Sequence, residues 1–240
     1  MKKIAPFALI LAVIAALLLI LAGPGTRLGW WEFGTGFLLM RWAFFAGLAA
    51  VALAVLLLVI PRTRAGHGAL LGAALVIGAG TAWVPWNGLQ TVRSLPYIHD
   101  ITTDTANPPP FVAVLPLRTD APNPPEYSGE EVAAQQREAY PDIQPLRLAS
   151  PPDQTFNRAL GAARGTGWEI VAAVPQEGRI EATATTFWFG FKDDVVIRIT
   201  PDNGGSRLDM RSKSRVGRSD VGANARRIRA YLEALEKNPE

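Results

Sequence analysis

Between Arg211 and Asn224 the chain sets four cations, Arg211, Lys213, Arg215 and Arg218, ahead of Ser219, Asp220 and a run whose apolar residues recur at helical spacing. A helix start presents free N–H groups and the positive end of its dipole, and guanidinium forks grip carboxylates and phosphates bidentately. Arg211, Lys213, Arg215, Arg218, Ser219, Asp220 and Asn224 therefore have the chemistry of an anion- or partner-binding loop. Its ligand would be a lipid headgroup or a partner's carboxylate. The same residues also read structurally: Ser219 or Asp220 caps the helix, Gly217 and Gly222 serve the turn, and the arginines pair internally. Residues 97–157, with 9 acidic against 3 basic side chains, hold partners for them.

Phe187, Trp188, Phe189 and Phe191 form an aromatic turn, read either as core or as a tip that dips into a bilayer interface. Directly after it, Lys192, Asp193 and Asp194 raise acid–base chemistry or a hard-cation site. Adjacent strand residues point oppositely, so the two carboxylates converge only if the chain turns there, and a solvated turn is the simpler reading. A serine-based triad would need His99 with Asp100 or another aspartate, and the sequence offers no nucleophile elbow. With 0 cysteines there is no thiolate metal site, disulfide or cysteine nucleophile. No metal ligand set and no cofactor are expected.

The elements that must position these residues are strands and helices of one α+β domain. Trp168–Val174, Arg179–Phe187, Val195–Thr200 and Arg207–Ser212 read as strands separated by short turns, and such spacing favours antiparallel neighbours. Ile180, Ala182, Ala184 and Thr186 alternate with Arg179, Glu181, Thr183 and Thr185, giving an apolar and a polar sheet face. The last helix, with Val221, Ala225, Ile228, Leu232 and Leu235 on one side, covers the apolar face. Ser128 with Glu131 makes a capping box for a helix of about ten residues. A second helix starts at Ser150-Pro151 and stops at Gly165 and Gly167, and Phe111–Leu117 reads as a short strand.

Ahead of this domain, Ile4–Ala22, Trp42–Ile60 and Gly68–Pro85 are nearly free of charge and close to the length of about 20 residues that a bilayer demands. They read as three transmembrane helices. The alternative for the first is a signal peptide, against which stand its long apolar core and the lack of a small-x-small site after it, and cleavage would leave the topology of the domain unchanged. Gly68 and Gly72 form a GxxxG in the third. Lys2, Lys3, Arg62 and Arg64 place the N-terminus and the second loop in the cytoplasm and the C-terminal domain outside, with Trp30, Trp31, Trp83 and Trp86 at the outer interface. Residues 1–96 carry 7 basic against 1 acidic side chain, and residues 97–240 carry 17 against 20. The basic isoelectric point is thus topogenic, and a nucleic-acid partner is not expected. The expected domains are a three-helix membrane region at 1–86, a Pro/Thr-rich linker at 87–110 and an extracytoplasmic domain at 111–240.

Phe189-Gly-Phe-Lys-Asp-Asp194 and the S-R-x-G-x-S-D-x-G-x-N run from Ser214 to Asn224 are the pieces through which the chain resembles the domain of unknown function 1499 family. The resemblance covers roughly Tyr97 to Leu235. It implies a bacterial or plastid protein attached to a membrane, here a bacterial inner-membrane member with a periplasmic domain. Many members carry a cysteine-containing segment near the start of the domain, where this chain reads His99–Pro110. The resemblance implies a fold unit and a membrane address, not an activity. The expected architecture is α+β, three membrane helices followed by a four- to five-stranded, mainly antiparallel sheet packed against two to three helices. The expected role is non-enzymatic binding of an anionic lipid headgroup or a membrane-protein partner. The alternatives are an envelope lipid or glycan hydrolase using Asp193, Asp194 or His99, and a structural subunit of a larger membrane complex.

Overall fold

A computed structural model describes residues 4–237 of the 240-residue chain. Lys2 and Lys3, on which part of the expected orientation rests, lie outside the described residues. The chain forms two compact units, one holding the residues up to Arg93 together with Phe187–Gly190, the other Ser94–Thr186 with Phe191 onward.

The first unit contains α1 (Ile4–Arg27), α2 (Phe33–Val59) and α3 (Pro61–Ser94). All three are long and apolar enough to cross a membrane. A helix closes its own backbone hydrogen bonds, which lipid cannot do for it. Ala5, Ala8, Ala12, Ala15, Leu19 and Ala22 make one buried stripe along α1, while Phe7, Ile10, Leu17 and Ile20 face outward. α2 starts nine residues before the expected Trp42, because Phe33–Met40 is apolar enough to extend it despite two glycines. α3 runs past Pro85 to Ser94, and it bends where His67 leaves helical geometry at φ −139°.

The GxxxG of Gly68 and Gly72 is not the close crossing, since neither glycine has an atom within 4 Å of where a Cβ would stand. Close approach occurs instead between Gly47 of α2 and Gly78 of α3. A Cβ on Gly47 would stand 2.8 Å from the Gly78 carbonyl oxygen, and one on Gly78 2.9 Å from that of Gly47. Gly47→Leu is expected to force α2 and α3 apart and to cost about 1–3 kcal/mol, as overpacking does. Gly72→Leu should be silent. Thermal unfolding of both variants in detergent checks the contrast.

The second unit is a six-stranded antiparallel sheet with three helices. In chain order its elements are β1 (Asp100–Thr102), α4 (Glu130–Ala139), β2 (Leu146–Leu148), α5 (Pro152–Gly165), β3 (Glu169–Val174), β4 (Arg179–Thr185), β5 (Lys192–Asp202), β6 (Gly205–Ser214) and α6 (Ala223–Lys237). The strand order is β1-β6-β5-β4-β3, and β2 also pairs with β6. On one sheet face Ile180, Val195, Ile197, Ile199, Leu208 and Met210 meet Phe156, Ala159 and Ala163 of α5 and Ala225, Ile228, Tyr231 and Leu235 of α6. The Tyr231 hydroxyl, buried in this core, donates to the Ala159 carbonyl at 2.7 Å.

The sheet extends beyond the expected strands at both ends of its long hairpin. Asp193 and Asp194 sit in the β5 ladder opposite Ser214 and Lys213, not in a solvated turn. Phe111–Leu117 is not a strand. Its start is held by a carboxylate, described below, and Leu115–Arg118 closes into a 3-10 turn. Ser128 makes no capping box, because α4 begins one residue later with Gly129 at φ +83° as its cap, a geometry glycine adopts freely. Val221 lies outside α6, at φ +52° in the turn that leads into it.

Candidate functional site

Alternation along β4, β5 and β6 sends Glu181, Thr183, Asp194, Arg211 and Lys213 to the sheet face that α5 and α6 leave uncovered, and Arg215, directly after β6, reaches Asp194 there. Residues 103–127 close over that face, with Phe111 and Val114 packed on Val196. The outcome is a buried charged layer. A charge is stable there only with close counter-charges and hydrogen bonds, and the layer supplies both.

Asp100 of β1 takes a bidentate grip from Arg211, at 2.8 Å to each oxygen, and an ion pair from Lys213 at 3.0 Å. The spare protons go to carbonyls, Arg211 donating to Pro109 and Pro125 and Lys213 to Glu126. The Arg211 guanidinium lies over the Phe111 and Tyr127 rings, 4.7 and 5.4 Å from their centroids. Burial pulls the Lys213 ammonium pKa down while Asp100 pulls it up, and burial with Asp100 pushes the Tyr127 phenol to about 12.

Asp194, fully buried at 0% exposure, carries two guanidinium groups. Arg215 holds both its oxygens at 2.9 and 2.7 Å, Arg118 reaches one at 2.5 Å, and the Thr183 hydroxyl donates at 2.8 Å. Glu181 is a third buried carboxylate. It accepts the backbone N–H groups of Val112, Ala113 and Val114 at 2.9–3.2 Å and pairs with Arg179. Three consecutive N–H groups on one carboxylate use up amides that a strand at Phe111–Leu117 would have offered to a neighbour.

Asp193 points to the other face, where it pairs with Arg227 of α6 at 2.5 Å. The two adjacent carboxylates therefore diverge. His99 is near neither pair's acidic oxygens in any hydrogen bond; its Nδ1 lies 3.4 Å from the Arg218 carbonyl. Two shallow grooves on this unit are lined by Arg147–Ala149 with Asp202–Ser206, and by Asp142–Leu146 with α6 residues. Neither is lined by His99, Asp193 or Asp194. The described residues contain no group of three or more His, Cys, Asp or Glu side chains placed to hold a metal ion.

The helix start is occupied from within. Asp220 accepts the Gly222 and Asn224 N–H groups at 2.8 and 2.7 Å, and Ser219 Oγ accepts the Val221 N–H. Burial raises the Asp220 pKa, against the pull of those two amides. Asn224, fully buried, accepts from Ser212 Oγ and Arg227 and donates to the His99 carbonyl and Ser214 Oγ. Of the loop cations Arg218 alone is exposed and forms no ion pair among the described residues, and its guanidinium lies 5.5 Å from the Tyr97 ring centroid.

The aromatic turn divides. Phe187, Trp188 and Phe189 belong to the first unit and Phe191 to the second. Phe187 is 91% exposed and Phe189 is buried against Phe37, with ring centroids 5.1 Å apart.

With this geometry in place, residues 100–235 match the family described as Protein of unknown function (DUF1499). The chain belongs to the DUF1499 family. No curated protein matches it. The two sequence pieces that carried the resemblance meet in this DUF1499 domain: Asp194 of the first binds Arg215 of the second, and Arg227, which binds Asp193 of the first, also reaches Asn224 of the second. Much of the signature is thus the interlock between hairpin and α6. Sequence reasoning missed Asp100, Arg118, Glu181 and Thr183 as members of the layer. Only the placement of Arg179, Glu181 and Thr183 on one strand face hinted at it.

The DUF1499 domain also carries a pH dependence. Burial holds the His99 pKa below its usual 6.5. The unfolded chain then binds the proton more readily, so this contribution is present above 6.5 and is lost as pH falls through that value toward the folded pKa. Melting temperature should drop on acidification in the wild type, and part of that drop should vanish in His99→Asn.

Proposed function

We propose that the chain is a non-enzymatic protein of a bacterial inner membrane, with a cytoplasmic N-terminus and a periplasmic DUF1499 domain that binds a lipid headgroup or a membrane-protein partner at the loop before α6. The observation that carries this reading is Arg218. Its guanidinium is exposed, unpaired by any acid among the described residues and backed by the Tyr97 ring, while Arg211, Lys213 and Arg215 around it are engaged with Asp100 and Asp194. A cation kept free beside paired ones is available to an external anion. Arg211, Lys213 and Arg215 shape the loop from beneath, and Ser219, Asp220 and Asn224 fix where it enters α6.

The lipid headgroup is the favoured anion, because Tyr97 follows the last residue of α3, Ser94, by three positions and the tether is correspondingly short. The divergence of Asp193 and Asp194 supports binding over the hydrolase reading. The test is purification from native membranes in mild detergent with mass spectrometry of co-purifying lipids and proteins, comparing wild type with Arg218→Ala. A stoichiometric lipid or protein lost on Arg218→Ala is the expected result. Unchanged retention would overturn the assignment to this loop. Alanine at Arg211 or Arg215 is the wrong probe, since each would take one of two cations from a buried carboxylate.

A further inference from the structure

The end of α1 carries Gly23-Pro24-Gly25, an unusual run for a helix of 24 residues, and α2 opens with Gly34 and Gly36. Three of these glycines face aromatic rings. A Cβ on Gly23 would collide with the Trp188 indole, one on Gly25 with the Trp31 indole, and one on Gly36 would stand 2.8 Å from Phe189. Trp188 and Phe189 lock edge to face, with centroids 5.2 Å apart, and Trp31 Nε1 donates to the Ala22 carbonyl at 3.2 Å. The turn itself is closed by Thr186 N–H to the Phe191 carbonyl at 2.8 Å and by Phe191 N–H to Thr186 Oγ1 at 2.9 Å. This is a built recess filled by Trp188 and Phe189.

Phe187 is left outside it. Its carbonyl accepts Arg27 Nη1 at 2.5 Å, yet the residue is 91% exposed, the largest exposure among the described large apolar residues. Arg27 is the last residue of α1, whose 24 residues rise about 36 Å at 1.5 Å each. The hydrocarbon of a bilayer is about 30 Å thick. A residue whose carbonyl is tied to Arg27 therefore stands at the boundary of headgroups and acyl chains when α1 spans. Exposed Leu28 and Trp30 follow Arg27 in sequence, and an aromatic belt with an arginine is what that depth favours.

We infer that the Phe187 ring is embedded in the outer headgroup–acyl boundary, making the β4–β5 turn a lipid-binding wedge. Its ligand is the bilayer surface, through apolar contact, and it does not depend on the Arg218 loop. Trp188 and Phe189 hold the wedge against α1 and α2, and Phe187 alone reaches lipid.

The absence of cysteine makes the test direct. Phe187→Cys, Asn203→Cys and Val76→Cys, each labelled with an environment-sensitive fluorophore, are reconstituted in phosphatidylcholine vesicles with and without brominated acyl chains. Val76 reports the spanning helices and Asn203 an exposed hairpin turn. The Phe187 probe is expected to emit to the blue of the Asn203 probe and to be quenched by brominated lipid, as the Val76 probe is. Emission and quenching like those of Asn203 would overturn the inference, and so would a blue-shifted probe untouched by bromine, which would mean that protein covers the ring. Hydroxyl-radical footprinting of the unmodified chain gives a second reading that needs no substitution. In vesicles Phe187 should resist oxidation while exposed Leu117 is modified, and equal modification would again overturn it.

Discussion

Asp194→Ala is expected to unfold most of the C-terminal unit. The carboxylate is fully buried, and without it Arg118 and Arg215, 1% and 13% exposed at their side chains, face one another with no negative charge between them. Removing one partner of a buried ion pair costs about 3–5 kcal/mol, because the stranded charge keeps its desolvation penalty. Here two charges are stranded by one substitution. A domain's whole stability is about 5–15 kcal/mol, so the loss takes a large share of it. Hydrogen exchange in β4, β5 and β6, with near-ultraviolet circular dichroism, should show the loss. Asp194→Ala combined with Arg118→Met should recover part of it, since removing a stranded guanidinium removes its penalty. Glu130→Ala is the contrast. Its pair with Arg137 is 78% and 48% exposed, and such pairs contribute about 0–1 kcal/mol.

Glu181→Ala is the second large effect, at about 3 kcal/mol or more. Its carboxylate satisfies three consecutive amides and the Arg179 guanidinium, and alanine would leave the buried Val114 N–H and its neighbours without an acceptor. The damage should be local first. Residues 103–127 form no strand of their own and are held by side chains, Glu181 together with Arg118, Asn123, Arg198, Arg207, Arg211 and Lys213, so protease nicking around Val112–Val114 should rise before the sheet unfolds. Glu181→Gln should fall between, because the amide retains one acceptor and turns a donor toward the other N–H groups. A variant cleaved no faster than wild type would sink the account of Glu181 as the clasp.

The strands that repeat apolar residues every second position were legible from composition, and so was α6. What hid was wherever charge looked like solvent. Asp193 and Asp194 have the composition of a turn and Lys213 that of a basic loop, and they are strand because each finds a counter-charge from a distant segment. The pairing of Arg211 with Asp100 spans 111 positions and leaves no local trace. Phe111–Leu117 failed in the opposite sense: its apolar residues suggested a strand, but Glu181 had claimed its amides. In the candidate site the residue types were visible and their availability was not, since exposure separates Arg218 from Arg211, Lys213 and Arg215 more than sequence spacing does. The three aromatic-facing glycines were likewise unreadable, because Gly23, Gly25 and Gly36 look like flexibility until the rings that fill them are located.

Those glycines have a consequence for the order in which the molecule is made. Synthesis runs from the N-terminus, so α1 and α2 are made with their recess empty, and Phe187 reaches Arg27 across 160 positions. At the usual rate of about 5–20 residues per second, the recess waits roughly 10–30 s for its filling. Through that interval Gly23 and Gly36 expose backbone that Trp188 and Phe189 later cover. The hairpin therefore completes the packing of α1 and α2 only after both helices have been made.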